Sequence, residues 1–177
     1  MITILQKETK SLRDRSVEVP VEEITSKKVK KVVADMKRAL EGEDDGVAIA
    51  APQIGKNLRI FVMSKRAFEL VGTKPKPGKP FEDMVFINPK ITKLSRKKIE
   101  EDEGCLSVRY LYGKVMRAEK ATIEALDENG KKFISGGSGL IAQIFQHECD
   151  HLEGILFTDK ARDLEEIPPK NQNVMNK

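Results

Sequence analysis

The sequence contains two histidines, His147 and His151, four residues apart in Gln146-His-Glu-Cys-Asp-His151. On a helix that spacing puts both imidazoles on one face, about 5–6 Å apart at Cβ, within reach of a single ion. Glu148 lies about 100° around the same helix from His147, close enough to move a proton on an ion-bound water without being a ligand. H-E-x-x-H therefore divides its work between two nitrogen ligands and one carboxylate base.

A water-activating centre of this kind generally takes a third protein ligand. The extended pattern H-E-x-x-H-x-x-G-x-x-H fails here, since Gly154 fits it but Phe157 stands where the third histidine would be. Glu153 adjoins the motif on another face, and Glu165 and Glu166 fall in a proline-bounded stretch. Of the two cysteines, Cys149 is two residues from His147, which turns it about 200° away and makes it a packed thiol. Cys105, in Glu103-Gly-Cys-Leu-Ser107, is outside the helix and next to a glycine that permits close backbone approach. A Cys105–His147–His151 set, with its fourth position open to water, is the arrangement these residues favour.

The elements that must position this set follow from periodicity. Val29, Val32, Val33, Met36 and Leu40 recur at helical spacing, which predicts an amphipathic helix from Thr25 or Ser26 to Leu40. Strands are expected at 58–63 and at 84–87, the latter stopping at Asn88-Pro89. Residues 121–126 alternate, and Glu128-Asn129-Gly130 reads as the turn of a hairpin returning through 131–134. The segment Ser135-Gly-Gly-Ser138 reads as flexible, with Ser138 capping a second helix that stops before Gly154. On that helix Leu140, Ile144, His147 and His151 form one inward stripe. The Lys/Pro/Gly run at 73–80 is a loop. Short strands mixed with two separated helices indicate α+β architecture. The expectation is one domain over 1–162, followed by a flexible tail over 163–177.

The chain has 177 residues, 39% hydrophobic and 34% charged, which supplies a core beneath a heavily charged surface. No apolar run approaches the ~18 residues of a membrane span, and the first residues lack the pattern of a secretory signal, so a cytoplasmic location is expected and a membrane partner is not. The net charge of +4, with 2 Tyr and no Trp, gives no specific nucleic-acid signature.

Three segments, Gly46-Val-Ala-Ile-Ala-Ala-Pro-Gln53, Glu103-Gly-Cys-Leu-Ser107 and Gln146-His-Glu-Cys-Asp-His151, stand in this order. Together they resemble the three motifs of the peptide deformylases, G-x-G-x-A-A-x-Q, E-G-C-x-S and Q-H-E-x-x-D-H. The resemblance implies small mixed or antiparallel sheets packed around a central helix that carries H-E-x-x-H. It implies removal of the formyl group from formylmethionyl nascent peptides, with release of formate and transient contact with the ribosome. Cys105, His147 and His151 would hold one divalent metal, ferrous iron natively, with zinc, nickel or cobalt as substitutes. Glu148 would be the general base, while the Gln53 side chain and the Leu106 N–H would face the formyl oxygen. Gly46 and Val47 would hold the peptide backbone, and Val47, Leu140 and Ile144 would line the methionine slot. Ala48 stands where the first motif has its second glycine; a positive φ there would be strained. The alternatives are another H-E-x-x-H amidase or peptidase, or a non-catalytic, ribosome-associated metal-binding protein.

Overall fold

A computed structural model gives the fold over residues 2–75 and 77–168. Helix α1 spans Lys27–Glu41, and its Ser26 cap accepts a hydrogen bond from the Val29 N–H. A five-stranded antiparallel sheet contains β1 (Ala48–Ala50), β2 (Ile60–Met63) and β3 (Met84–Leu94). It is completed by β6 (Lys120–Leu126) and β7 (Lys132–Ser138), in the order β1-β2-β3-β6-β7. A second antiparallel sheet, ordered β4-β5-β8, joins β4 (Lys98–Gly104), β5 (Leu111–Ala118) and β8 (Arg162–Glu166). Two further helices are α2 (Arg66–Leu70) and α3 (Leu140–Leu152).

The larger sheet buries both faces, which is why β2 reads as an unbroken apolar run. Ile60 and Val62 pack with Ile49, Val85 and Ile87 against α1. Phe61 and Met63 turn the other way, joining Phe86 and Ile123 against the Ile141, Ile144 and Phe145 side of α3. Phe61 stacks on Phe86 with ring centroids 4.3 Å apart, and Phe145 meets Phe86 at 5.5 Å. The smaller sheet reaches α3 through Gln146, whose side chain accepts from the Ala118 N–H at 2.9 Å and donates to the Ala118 carbonyl at 3.0 Å. The motif helix thus sits between two sheets, as the α+β reading expects.

Several local expectations are corrected. The Ser135–Ser138 segment is the end of β7, paired with 120–123 of β6. Its small residues serve packing, since a Cβ on Gly137 would run into Ile141. Helix α3 consequently starts from Gly139 at φ +54, without a side-chain cap from Ser138. Strand β3 continues past Asn88-Pro89 because a register shift between Ile87 and Lys90 accommodates the proline. The boundary expected after residue 162 falls inside β8, so the chain through Glu166 is not a free tail. Strand β8 pairs Glu166 with Leu111 and Glu165 with Tyr112; its exposed residues carry no apolar pattern, and main-chain pairing defines it together with the Arg162–Glu100 ion pair and Leu164 beside Gly113. The remainder of the expected tail, 169–177, lies outside the described residues.

Candidate active site

Helix α3 sets His147 and His151 one turn apart, with ring centroids at 4.9 Å. Cys105 follows β4 directly and opens a turn closed by the Val108 N–H on the Cys105 carbonyl at 3.0 Å. That turn carries the Cys105 Sγ to 3.2 Å from His151 Nε2. One donor atom from each of Cys105, His147 and His151 lies within 4.8 Å of the others. Partial burial opposes ionisation of the Cys105 thiol, yet the imidazoles of His151 and His147 bring it down to about 5. A thiolate-prone sulfur and two imidazoles converging on one point are the donors a borderline divalent cation takes, so the residues fit a metal.

His147 is oriented from behind. Its Nδ1 lies 2.9 Å from Glu103 Oε2, leaving Nε2 for the point shared with Cys105 and His151. Glu103 is gripped in turn by Arg117, with Nε at 2.6 Å and Nη2 at 2.9 Å, and Arg117 Nη1 reaches Asp150 at 2.6 Å. Burial works against the Glu103 carboxylate, but the hydrogen bonds from Arg117 and His147 hold it down at about 2. The sequence reading missed this support, because Glu103 and Arg117 meet only through the β4–β5 register. The signal available was the acidic residue two places before Cys105.

Glu148 is 4% exposed. Burial dominates its environment and raises its carboxyl to about 7, although His147 and His151 pull the other way. Its Oε2 has no hydrogen-bond partner among the described residues. A carboxyl poised near neutrality can both take and return a proton. Cys149, by contrast, packs in the apolar cluster around Phe145, and burial pushes its thiol up to about 12.

Cys105, His147 and Glu148 open on a cleft of about 340 Å³. Gly46, Val47, Leu140 and Ile144 all line it, as do Gln53 and Leu106. Ala48 lines it too, and it lies in β1 rather than among the positive-φ residues, so its methyl group is unstrained there. Gln53 sits on a 3₁₀ turn after β1; its Oε1 accepts from the Ala50 N–H at 2.8 Å, and its Nε2 donates to Ser107 Oγ at 3.1 Å. That anchoring fixes the amide beside Cys105, whose Sγ is 3.6 Å from Gln53 Nε2. Ser107 is a further residue whose role the sequence reading passed over. At the rim, Arg109 bridges to Asp45 at 2.7 Å and to Glu43.

The polypeptide deformylase family model matches residues 1–166. Peptide deformylase 2 of Clostridium acetobutylicum is 40% identical over 138 residues, covering 77% of this chain and 81% of that protein. A crystal structure of a peptide deformylase from Legionella pneumophila superposes with a TM-score of 0.77 at 36% identity, covering 92% of this chain and 87% of that one. A class I type b peptide deformylase from Acinetobacter baumannii, solved with Met-Ala-Ser bound, gives a TM-score of 0.77 at 29% identity, covering 90% and 98%. No helix among the described residues is long and apolar enough to cross a membrane. Sequence and fold agree across nearly the whole chain: it belongs to the polypeptide deformylase family.

Proposed function

We propose that this chain removes the N-terminal formyl group from formylmethionyl peptides of nascent proteins in the cytoplasm, releasing formate. The observation that carries the reading is a buried, near-neutral Glu148 beside the convergent Cys105, His147 and His151 donors. A site that only held an ion for stability would have no use for that base.

Cys105, His147 and His151 would hold one divalent ion, ferrous iron natively. When bound, the ion supplies Lewis-acid activation of water at neutral pH. The formyl oxygen lies between the Gln53 Nε2–H and the Leu106 N–H, which donate to it as negative charge develops; one such donor is worth about 10²–10³ in turnover. Glu148 takes a proton from the water that adds to the formyl carbon. It then gives that proton to the departing amine as the C–N bond breaks, leaving formate and a free amino terminus. Val47, Leu140 and Ile144 enclose the methionine side chain, while the main chain at Gly46 and Val47 holds the peptide as an added strand beside the edge strand β1. Because such peptides emerge from the ribosome, transient contact there belongs to the same proposal.

The test compares formate release from formyl-Met-Ala-Ser with acetate release from acetyl-Met-Ala-Ser, using protein purified and loaded with iron under anaerobic conditions. Strong preference for the formyl peptide is expected. Equal rates on the two would reassign the enzyme to general amidase chemistry. Metal content after anaerobic purification, with activity after zinc, nickel or cobalt replacement, decides the ion.

A further inference from the structure

The two groups directed at the formyl oxygen are braced by the N-terminal segment, which none of the three motifs contains. The Leu5 N–H donates to the Gln53 carbonyl at 2.8 Å. The next side chain, Gln6, spans the turn that carries Cys105 and Leu106. Its Nε2 donates to the Leu106 carbonyl at 3.1 Å, and its Oε1 accepts from the Arg109 N–H at 3.4 Å. The segment is itself anchored. Ile2 and Ile4 pack against the α1 core, and Leu5 packs with Cys105 against the cluster of Leu12, Val108, Val115, Leu156 and Phe157. Gln6 therefore joins a fixed segment to a loop with little regular pairing of its own. Among the described residues the Leu106 N–H has no hydrogen-bond partner, so holding the carbonyl of the same residue bears directly on where that N–H points.

We propose that Gln6 is a positioning residue for deformylation: its side-chain amide, spanning the Leu106 carbonyl and the Arg109 N–H, keeps the Leu106 N–H directed at the formyl oxygen. This rests on the role given to Leu106 in the proposed function. An amide suits the task because it offers a donor and an acceptor from one rigid plane. Glutamate keeps the length and the acceptor but presents an oxygen to the Leu106 carbonyl. Alanine removes both contacts, together with the weaker hydrogen bond from Nε2 to the Ile4 carbonyl at 3.3 Å. Gln6 is exposed and outside the apolar clusters, so neither change opens a cavity.

The experiment uses full-length Gln6→Ala and Gln6→Glu, with two readouts. The first is kcat and KM for formyl-Met-Ala-Ser. The second is the ¹H–¹⁵N resonance and hydrogen exchange of the Leu106 amide in zinc-loaded, ¹⁵N-labelled protein. For both variants kcat is expected to fall about tenfold, as small misplacements of a reacting-site group do, with KM changed less than twofold. Metal content should stay the same, and the Leu106 amide should shift and exchange faster. A Leu106 amide that does not move in either variant overturns the brace, whatever the rate does. An amide that moves while kcat stays within twofold also overturns the proposal, and locates the error in the donor role of Leu106 rather than in the contact made by Gln6.

Discussion

At the scale of single residues, Glu148 and Cys105 should separate cleanly. Glu148 touches none of the three donors by hydrogen bond, so Glu148→Ala should keep its metal while turnover drops by at least ~10², the usual contribution of a general base. Cys105→Ala removes one donor of three and should purify with little metal. Metal analysis of both proteins alongside formate release checks the split, and metal-free Glu148→Ala would contradict it. Glu103 acts one step further out. It fixes the ring of His147 through Nδ1, so Glu103→Gln should weaken metal affinity by about 10–100-fold, the common cost of losing such a partner. Competition with a chelator measures it; an unchanged affinity would mean that packing alone orients His147.

At the scale of elements, the β4–β5 hairpin is the support on which the metal ligands depend. It places Glu103 opposite Gly113 and Ile99 opposite Arg117, so both ionic partners lie on the face turned toward α3. Arg117 is 4% exposed and neutralises Glu103 and Asp150 together. Arg117→Ala leaves the buried Glu103 carboxylate without its guanidinium, while Asp150 keeps Lys160 at 2.6 Å, and should cost about 3–5 kcal/mol. Urea unfolding of the full-length variant would show this; a loss below 1 kcal/mol would place the pair in wetter surroundings than the fold indicates. The same hairpin marks the limit of what was legible from sequence. The α3 stripe was visible because Leu140, Ile144, His147 and His151 repeat at helical spacing, and α1 because Ser26 and its valines do. Residues 98–103, Lys-Ile-Glu-Glu-Asp-Glu, hold one apolar side chain among five charged ones, so β4 had no apolar face to read. Arg117 could not be linked to Glu103 without knowing the register. The hairpin arm through 131–134 was legible, but the end of β7 was hidden by Ser-Gly-Gly-Ser, which reads as flexible until the closeness of Ile141 to Gly137 explains the missing side chains.

At the scale of the whole molecule, the chain's beginning is tied to the region just past the metal-binding helix. The Ser16 N–H donates to the Leu152 carbonyl at 2.8 Å. Gly154, at φ +74, lies so close to the Arg13 backbone that a Cβ would overlap its carbonyl. This explains a glycine that sequence reading took as a helix stop and as a match to the extended metal-site pattern. Arg13 then reaches Asp159 at 2.5 Å, and Asp159 also accepts from the Leu156 N–H at 3.0 Å. The Arg13 hydrogen bond, ahead of the opposing effect of burial, holds the Asp159 carboxyl below its ordinary 3.8. A carboxyl lowered in the folded state stabilises the fold above its unfolded value and loses that contribution as pH falls through the lowered one. Asp159→Asn keeps an oxygen for Leu156 and removes the charge. Both partners are substantially exposed, so the variant should be less stable at pH 7 by under about 1 kcal/mol. The gap should persist at pH 5 and close only below 3.8, once the parent carboxyl is protonated; it should also shrink in high salt. Urea midpoints of parent and variant at pH 7, 5 and 3 decide the matter. A gap that widens on acidification, or none at neutral pH, would show that the apolar cluster of Leu12, Leu156 and Phe157 joins these segments without help from the ion pair.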